Sequence, residues 1–257
     1  MPLETDLARV ERILSADRAW SGYALADLDP GLREHCRWHA FPDRDDALLL
    51  VFSPFQPAVL FALGEAETLR SLIPEIPSGA YSLSVRPDFA QLLSESGFET
   101  RWRKRMLRMA LPVDDFAPSP SASVEPLTPN DLAAVQALFA DGEASGEKPD
   151  FFFADMLRTG VYCGVREGDQ LAAVAGTHLC SQARRAAGVG NVYVRRDRRG
   201  QGLGRAVASA VVQELLRREI ETIVLNVEQA NQPARRVYQR LGFRLHCEFV
   251  WSEVEKP

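Results

Sequence analysis

The stretch Val192-Tyr-Val-Arg-Arg-Asp-Arg-Arg-Gly-Gln-Gly-Leu-Gly-Arg205 constrains the chain more than any other. It reads as a strand that runs through a glycine-rich loop into a helix. From Leu203 onward, Val207, Ala210, Val211 and Leu215 form an apolar helical stripe. Gly200, Gly202 and Gly204 let backbone amides approach a ligand with no Cβ in the way. Those amides lie at a helix N-terminus, where unpaired donors and the helix dipole favour a phosphate or pyrophosphate. Arg195, Arg196, Arg198, Arg199 and Arg205 add positive charge at the same place. Two common phosphate loops do not fit. A Walker loop needs a lysine after its second glycine, and none is near. A dinucleotide fingerprint starting at Gly200 needs a third glycine where Arg205 stands.

Around this loop the sequence predicts an α/β (α+β) chain in two domains. Pro112 to Pro126 holds four prolines among Ser and Asp, so it reads as an extended linker between domains 1–111 and 127–257. In the first domain, Leu3, Leu7, Val10 and Leu14 recur at helical spacing. Strands are expected over Ala47–Ser53, Ala58–Leu63 and Tyr81–Val85, helices over Glu65–Leu72 and Pro87–Ser96, and a closing strand over Glu99–Leu111. In the second, Thr128-Pro-Asn-Asp caps a helix carrying Leu132, Val135, Leu138 and Phe139. An acidic stretch Asp141–Asp150 leads to a short helix over Phe151–Arg158. A hairpin follows, Val161–Arg166 with Gln170–Cys180, then strands over Ala186–Arg195 and Glu221–Glu228, a helix from Pro233 and a last strand over Arg244–Val254. Each half ends in a helix, Gly-Phe and a long strand, at Gly97-Phe98 and Gly242-Phe243, which suggests a duplicated unit.

Composition excludes several function classes. Thirty basic against 35 acidic residues give a net charge of −5, without the positive surplus of a nucleic-acid binder. No apolar run approaches the ~20 residues of a membrane span, and the first twenty residues read as an amphipathic helix, not a signal peptide. Cysteines at 36, 163, 180 and 247 are sparse and irregular, as in reduced thiols of a cytoplasmic protein. His35, Cys36 and His39 are the one local group of metal-ligand types and lack a complement, so no metal is expected. The basic run Arg101–Arg108 reads as the solvated side of a strand, or as a face for an acidic acceptor.

The pattern that does fit the loop is Arg-x-x-Gly-x-Gly, at Arg199, Gly202 and Gly204. A second follows it: Asn231, Ala234, Tyr238, Gly242 and Phe243, as Asn-x-x-Ala-x-x-x-Tyr-x-x-x-Gly-Phe, with the strand Thr222–Val227 between. Together they resemble the GCN5-related N-acetyltransferase (GNAT) superfamily over about residues 122–257. Arg196 departs from the proline that many members carry there. The resemblance implies two GNAT-like domains, each a mixed, mostly antiparallel twisted sheet flanked by helices, the first a degenerate copy. It implies acetyl-CoA as cosubstrate, held by Arg199, Gly200, Gln201, Gly202, Leu203, Gly204 and Arg205. Strands Gly190–Arg195 and Thr222–Glu228 would splay apart, and the backbone of Val192, Tyr193 and Val194 would pair with the pantetheine arm. One of those N–H groups would face the thioester carbonyl. Asn231 would fix the start of its helix or touch the cofactor.

The resemblance also makes Tyr238 the general acid for the departing thiolate, though a packed aromatic suits that position too. His178 or Glu228 could be the base, and so could water; the residues leave this open. The function implied is acetyl or short-acyl transfer to a primary amine. The alternatives are a non-catalytic acyl-CoA sensor and an amino-acid N-acyltransferase that uses longer chains. The expected acceptor is a small amine or amino acid selected by regions 141–160 and 181–187, with no nucleic-acid or membrane partner, in a monomer or homodimer.

Overall fold

The computed structural model describes residues 3–119, 123–149 and 151–257. Linker positions 120–122 and Asp150 of the acidic stretch lie outside the described residues. In chain order the elements are β1 (Leu3–Glu4), α1 (Leu7–Leu14), α2 (Arg18–Ala26), β2 (Cys36–Ala40), β3 (Leu48–Phe52), β4 (Ala58–Leu63), α3 (Ala66–Leu69), β5 (Gly79–Val85), α4 (Pro87–Glu95) and β6 (Glu99–Leu111). There follow β7 (Val124–Pro126), α5 (Leu132–Ala140), α6 (Met156–Thr159), β8 (Tyr162–Glu167), β9 (Gln170–Ser181), β10 (Ala186–Val194), α7 (Leu203–Arg217), β11 (Thr222–Glu228), α8 (Gln232–Arg240) and β12 (Arg244–Lys256).

The chain forms two compact units. Unit 1 holds Met1–Arg108, Val227–Ala230 and His246–Pro257; unit 2 holds Met109–Asn226 and Asn231–Leu245. This differs from the expected division at 112–126, because the end of β12 belongs with unit 1. There it pairs antiparallel with β5, from Val250↔Val85 to Lys256↔Gly79. Alternation along the strand sends Val250 and Val254 into one core, and Cys247 and Phe249 into another.

Unit 1 carries a mixed sheet in the order β1-β2-β3-β4-β5-β12-β6, in which β4 and β5 run parallel. Trp20 anchors one side of it: Nε1 donates to Ala62 O at 2.9 Å, and the ring lies 5.3 Å from Phe61 and 5.7 Å from Phe249. The basic run splits. Arg101, Arg103 and Arg105 are exposed, whereas Arg108 is buried among Trp20, Tyr23 and Phe249, and that burial lowers its pKa.

Unit 2 carries the strand order β11-β10-β9-β8-β7, with β10 and β11 parallel and the other neighbours antiparallel. Helix α7 packs on β8, β9 and β10 through Val207, Val211, Val212 and Leu215, all fully buried. A capping box between Thr128 and Asp131 opens the turn before α5. The segment expected as an extended linker is docked instead: Ala117 N donates to Leu241 O at 3.1 Å, and Ser119 N to the Ser209 hydroxyl at 2.8 Å.

The repeated Gly-Phe has one physical cause in both places. Phe98 N bonds Leu93 O and Gly97 N bonds Ser94 O; Phe243 N bonds Tyr238 O and Gly242 N bonds Gln239 O. Each is the paired cap that ends a helix on a left-handed glycine, here at φ +91° and +100°. The helix expected over Phe151–Arg158 shortens to Met156–Thr159.

Candidate active site

The site is built on the point where β10 leaves its partners. Its parallel register with β11 runs from Ala186↔Thr222 to Val189↔Leu225 and ends there. Against β9 the register slips between Gly190 and Tyr193, leaving Asn191 in a left-handed conformation at φ +52°. The bulge re-aims the strand just before Val192, Tyr193 and Val194. Tyr193 is buried, and its hydroxyl donates to Asp141 Oδ2 at 2.9 Å. Asp141 also accepts from Arg196 N at 3.0 Å. That amide first, and the Tyr193 hydroxyl second, hold the Asp141 carboxyl below the usual range.

Beyond a short turn at Arg196–Arg198 the chain enters the glycine loop. Gly200 and Gly202 take φ of +80° and +81°, and a Cβ on either would meet nothing within 4 Å. Gly202 is the N-cap of α7 and supplies no side-chain cap. The first helical bond is Ala206 N to Gly202 O at 3.1 Å, so the amides of Leu203, Gly204 and Arg205 are the donors that the helix leaves over. Open space before an uncapped fifteen-residue helix fits a pyrophosphate.

The arginines do less than their number suggests. Arg195 and Arg198 both bond Glu167, each at 2.8 Å, and both also pair with Asp197. Arg199 holds Glu147 two-pronged at 2.8 and 3.2 Å, and Arg196 lies 3.7 Å from Asp141. Arg205 reaches the carbonyl of Arg240 at 3.4 Å. Five arginines set against Glu167, Asp197, Glu147 and Asp141 leave a single net positive charge. Sequence reasoning missed Asp141 and Glu147 as parts of the site. Their partners stand 52 residues away, beyond the reach of any local pattern.

In the second motif, Asn231 caps α8, its Oδ1 accepting from Ala234 N at 3.1 Å. Tyr238 is buried on that helix, edge-on to Phe243 at 6.1 Å. His178, on β9, is half-buried, and burial pushes its pKa down to about 4 against the opposing effect of Asn191. Glu228 is exposed at the end of β11 and belongs to unit 1, whereas the loop, His178, Asn231 and Tyr238 all belong to unit 2.

Residues 132–243 match the acetyltransferase (GNAT) family. A mycothiol acetyltransferase of Corynebacterium aurimucosum is 38% identical over 72 residues, which is 26% of this chain and 23% of that protein. The chain thus spans less than a quarter of the length of the curated relatives it matches. Among solved structures, a GNAT-family protein from Novosphingobium aromaticivorans superposes with a TM-score of 0.57 at 22% identity, over 81% of this chain and 88% of that one. A tandem GNAT protein from the clavulanic acid biosynthesis pathway gives 0.59 at 17% identity, over 100% and 99%. The family match falls on the elements that carry the end of the β10–β11 pairing, the glycine loop and the Asn231–Phe243 motif, so it is residues 132–243 that are similar to the GNAT family.

Proposed function

We propose that the protein transfers an acetyl group from acetyl-CoA to a primary amine. The observation that carries this reading is the uncapped start of α7 behind two left-handed glycines, facing open space. In this reading the amides of Gly202 to Arg205 hold the pyrophosphate, and the backbone of Val192 to Val194 takes the pantetheine arm beyond the last β10–β11 pair. A Val192–Val194 amide stabilises the oxyanion as the amine nitrogen bonds the acetyl carbon. The C–S bond then breaks and Tyr238 gives its proton to the thiolate. His178 is neutral at pH 7, yet with a pKa near 4 it is too weak to draw a proton from an ammonium group. Glu228 is exposed at the end of β11, and we assign the amine's proton to water.

Unit 1, in the same proposal, is a degenerate GNAT-like copy that does not hold acetyl-CoA. Its parallel β4–β5 pair and its glycine helix cap match those of unit 2, and a tandem GNAT protein shares the fold over the whole chain. No glycine loop follows β4, where Gly64 and Glu65 lead directly into α3. The test is the release of free thiol from acetyl-CoA with a panel of primary amines. Amine-dependent release supports the reading; acetyl-CoA binding without any release makes the protein a sensor.

A further inference from the structure

A row of aromatic rings in unit 2 leads from solvent to the place where β10 leaves its neighbours. Phe153 is 45% exposed, and its ring meets Phe151 edge-on with centroids 5.0 Å apart. Phe151 meets the imidazole of His178 at 5.4 Å and 77°. The His178 ring covers the backbone of Gly190, where a Cβ would come within 2.1 Å of Nε2. Gly190 is the last residue before the bulge, one step past the final β10–β11 pair. Phe152, between the two outer rings, turns instead to the core, edge-on to Phe139 at 5.2 Å and Tyr162 at 6.0 Å.

The row carries no charge at neutral pH, since burial keeps His178 deprotonated. The described carboxylates of the flanking segments are already committed: Asp141 to Arg196 and Tyr193, Glu143 to Lys148, Glu147 to Arg199, and Asp155 to Arg158. A polycation finds no free anionic partner among them. A flat apolar group finds ring edges and faces, and His178 supplies a polar rim beside Gly190.

We infer that Phe153, Phe151 and His178 form the wall against which the acceptor lies, and that the acceptor is an arylalkylamine, with an aromatic ring a short chain away from its primary amine. This rests on the acetyl-transfer reading and names the substrate class of that site. The ring lies along Phe151 and Phe153, and the amine reaches past His178 to the thioester at the bulge.

The test compares 2-phenylethylamine and tryptamine with putrescine, glucosamine and n-butylamine, with the full chain and acetyl-CoA, by thiol release. The arylalkylamines should show kcat/KM about tenfold or more above the others, the scale of one well-placed ring contact. Phe153→Ala, at an exposed position, should raise KM for 2-phenylethylamine about tenfold. It should leave KM for acetyl-CoA unchanged and lower kcat/KM for n-butylamine less than for 2-phenylethylamine, and Phe153→Tyr should restore the wild-type KM. Preference for putrescine or glucosamine, or an unchanged KM in Phe153→Ala, overturns the inference. Acetyl-CoA binding, seen as a thermal shift, without turnover of either arylalkylamine overturns this inference alone. Absence of acetyl-CoA binding overturns the acetyl-transfer reading with it.

Discussion

Replacing Gly202 by valine separates the two properties that the glycine loop combines. At φ +81° an L-residue costs about 1–2 kcal/mol, and a β-branched one sits at the upper end. No packing term adds to this, because the new Cβ meets nothing within 4 Å. At about 2–4 °C per kcal/mol for a chain of this size, the free protein should lose about 2–8 °C in Tm. The effect on acetyl-CoA is larger. The valine side chain would occupy the space in front of the Gly202 to Arg205 amides. A hydrogen bond to a charged group contributes about 1.5–3 kcal/mol, so losing two weakens binding by about 3–6 kcal/mol, roughly 10²–10⁴-fold. Wild type at a hundredfold excess over Kd gains about 2.7 kcal/mol, a rise of about 5–11 °C, and Gly202→Val should gain about 0.4 kcal/mol or less, under about 2 °C, at the same concentration. Gly168→Val is the control. Gly168 has φ +60° in the β8–β9 turn, and a Cβ there also meets open space, so the strain is matched without the phosphate site. Differential scanning fluorimetry reads both. A full acetyl-CoA shift in Gly202→Val, or its loss in Gly168→Val, refutes the assignment of these amides.

Tyr238→Phe should lower kcat about a hundredfold or less while acetyl-CoA binding stays unchanged, since a thiolate leaves fairly well without a proton; equal turnover from pH 6 to 9, where chemistry limits the rate, makes Tyr238 a core aromatic. Tyr193→Phe should weaken acetyl-CoA binding several-fold and Asp141→Asn at least as much, because Asp141 also accepts from Arg196 N; the double variant should be no worse than Asp141→Asn alone, since the bond to Tyr193 is then already lost; additive losses in calorimetry would show that the two act separately. Burial, with Asp29 beside it, pushes the Asp27 carboxyl up to about 8. The folded chain therefore keeps a proton that the unfolded chain gives up near pH 4; this stability is full below about pH 4 and is lost as pH rises through about 8. Asp27→Asn should remove that slope, worth on the order of 3 kcal/mol for a partly accessible group, and parallel urea midpoints at pH 5 and pH 9 for both proteins would contradict it.

Much of the fold was legible because its elements announce themselves locally. Leu203 to Leu215 repeats at helical spacing, and Leu48–Phe52 is an apolar run bounded by polar residues, so both elements could be read from periodicity alone. Helix α2 could not. Trp20, Ser21, Gly22, Ala24, Leu25 and Ala26 are all buried, so no polar face marks a period. Strand β2, Cys-Arg-Trp-His-Ala, does alternate, with Cys36, Trp38 and Ala40 on one core, but five residues are a short signal, and its pairing with β3 sets it as a strand. The membership of β12 in unit 1 was hidden for a related reason. Its side chains alternate as in any strand, and nothing along them says which neighbour they will meet.

At the site, the backbone features were legible and the electrostatics were not. Glycine at 200 and 202 and asparagine at 231 act through their own local geometry, a left-handed turn in one case and a helix cap in the other. The five arginines act through partners supplied by other segments, and those partners reverse the simple reading. Glu167 answers Arg195 and Arg198, and Glu147 answers Arg199, so those guanidinium groups are engaged before any phosphate arrives. An anion that recruits Arg199 must displace or share Glu147, whereas the amides at the start of α7 have no such prior claim. In the free protein the arginines and their carboxylates thus brace the loop, Asp141 fixing its base through Arg196 N and Tyr193, and Glu147 its shoulder through Arg199. In the proposed function, recognition of the pyrophosphate rests on donors whose directions the backbone has already set, and one Cβ at residue 202 should then matter more there than the charge of any single arginine.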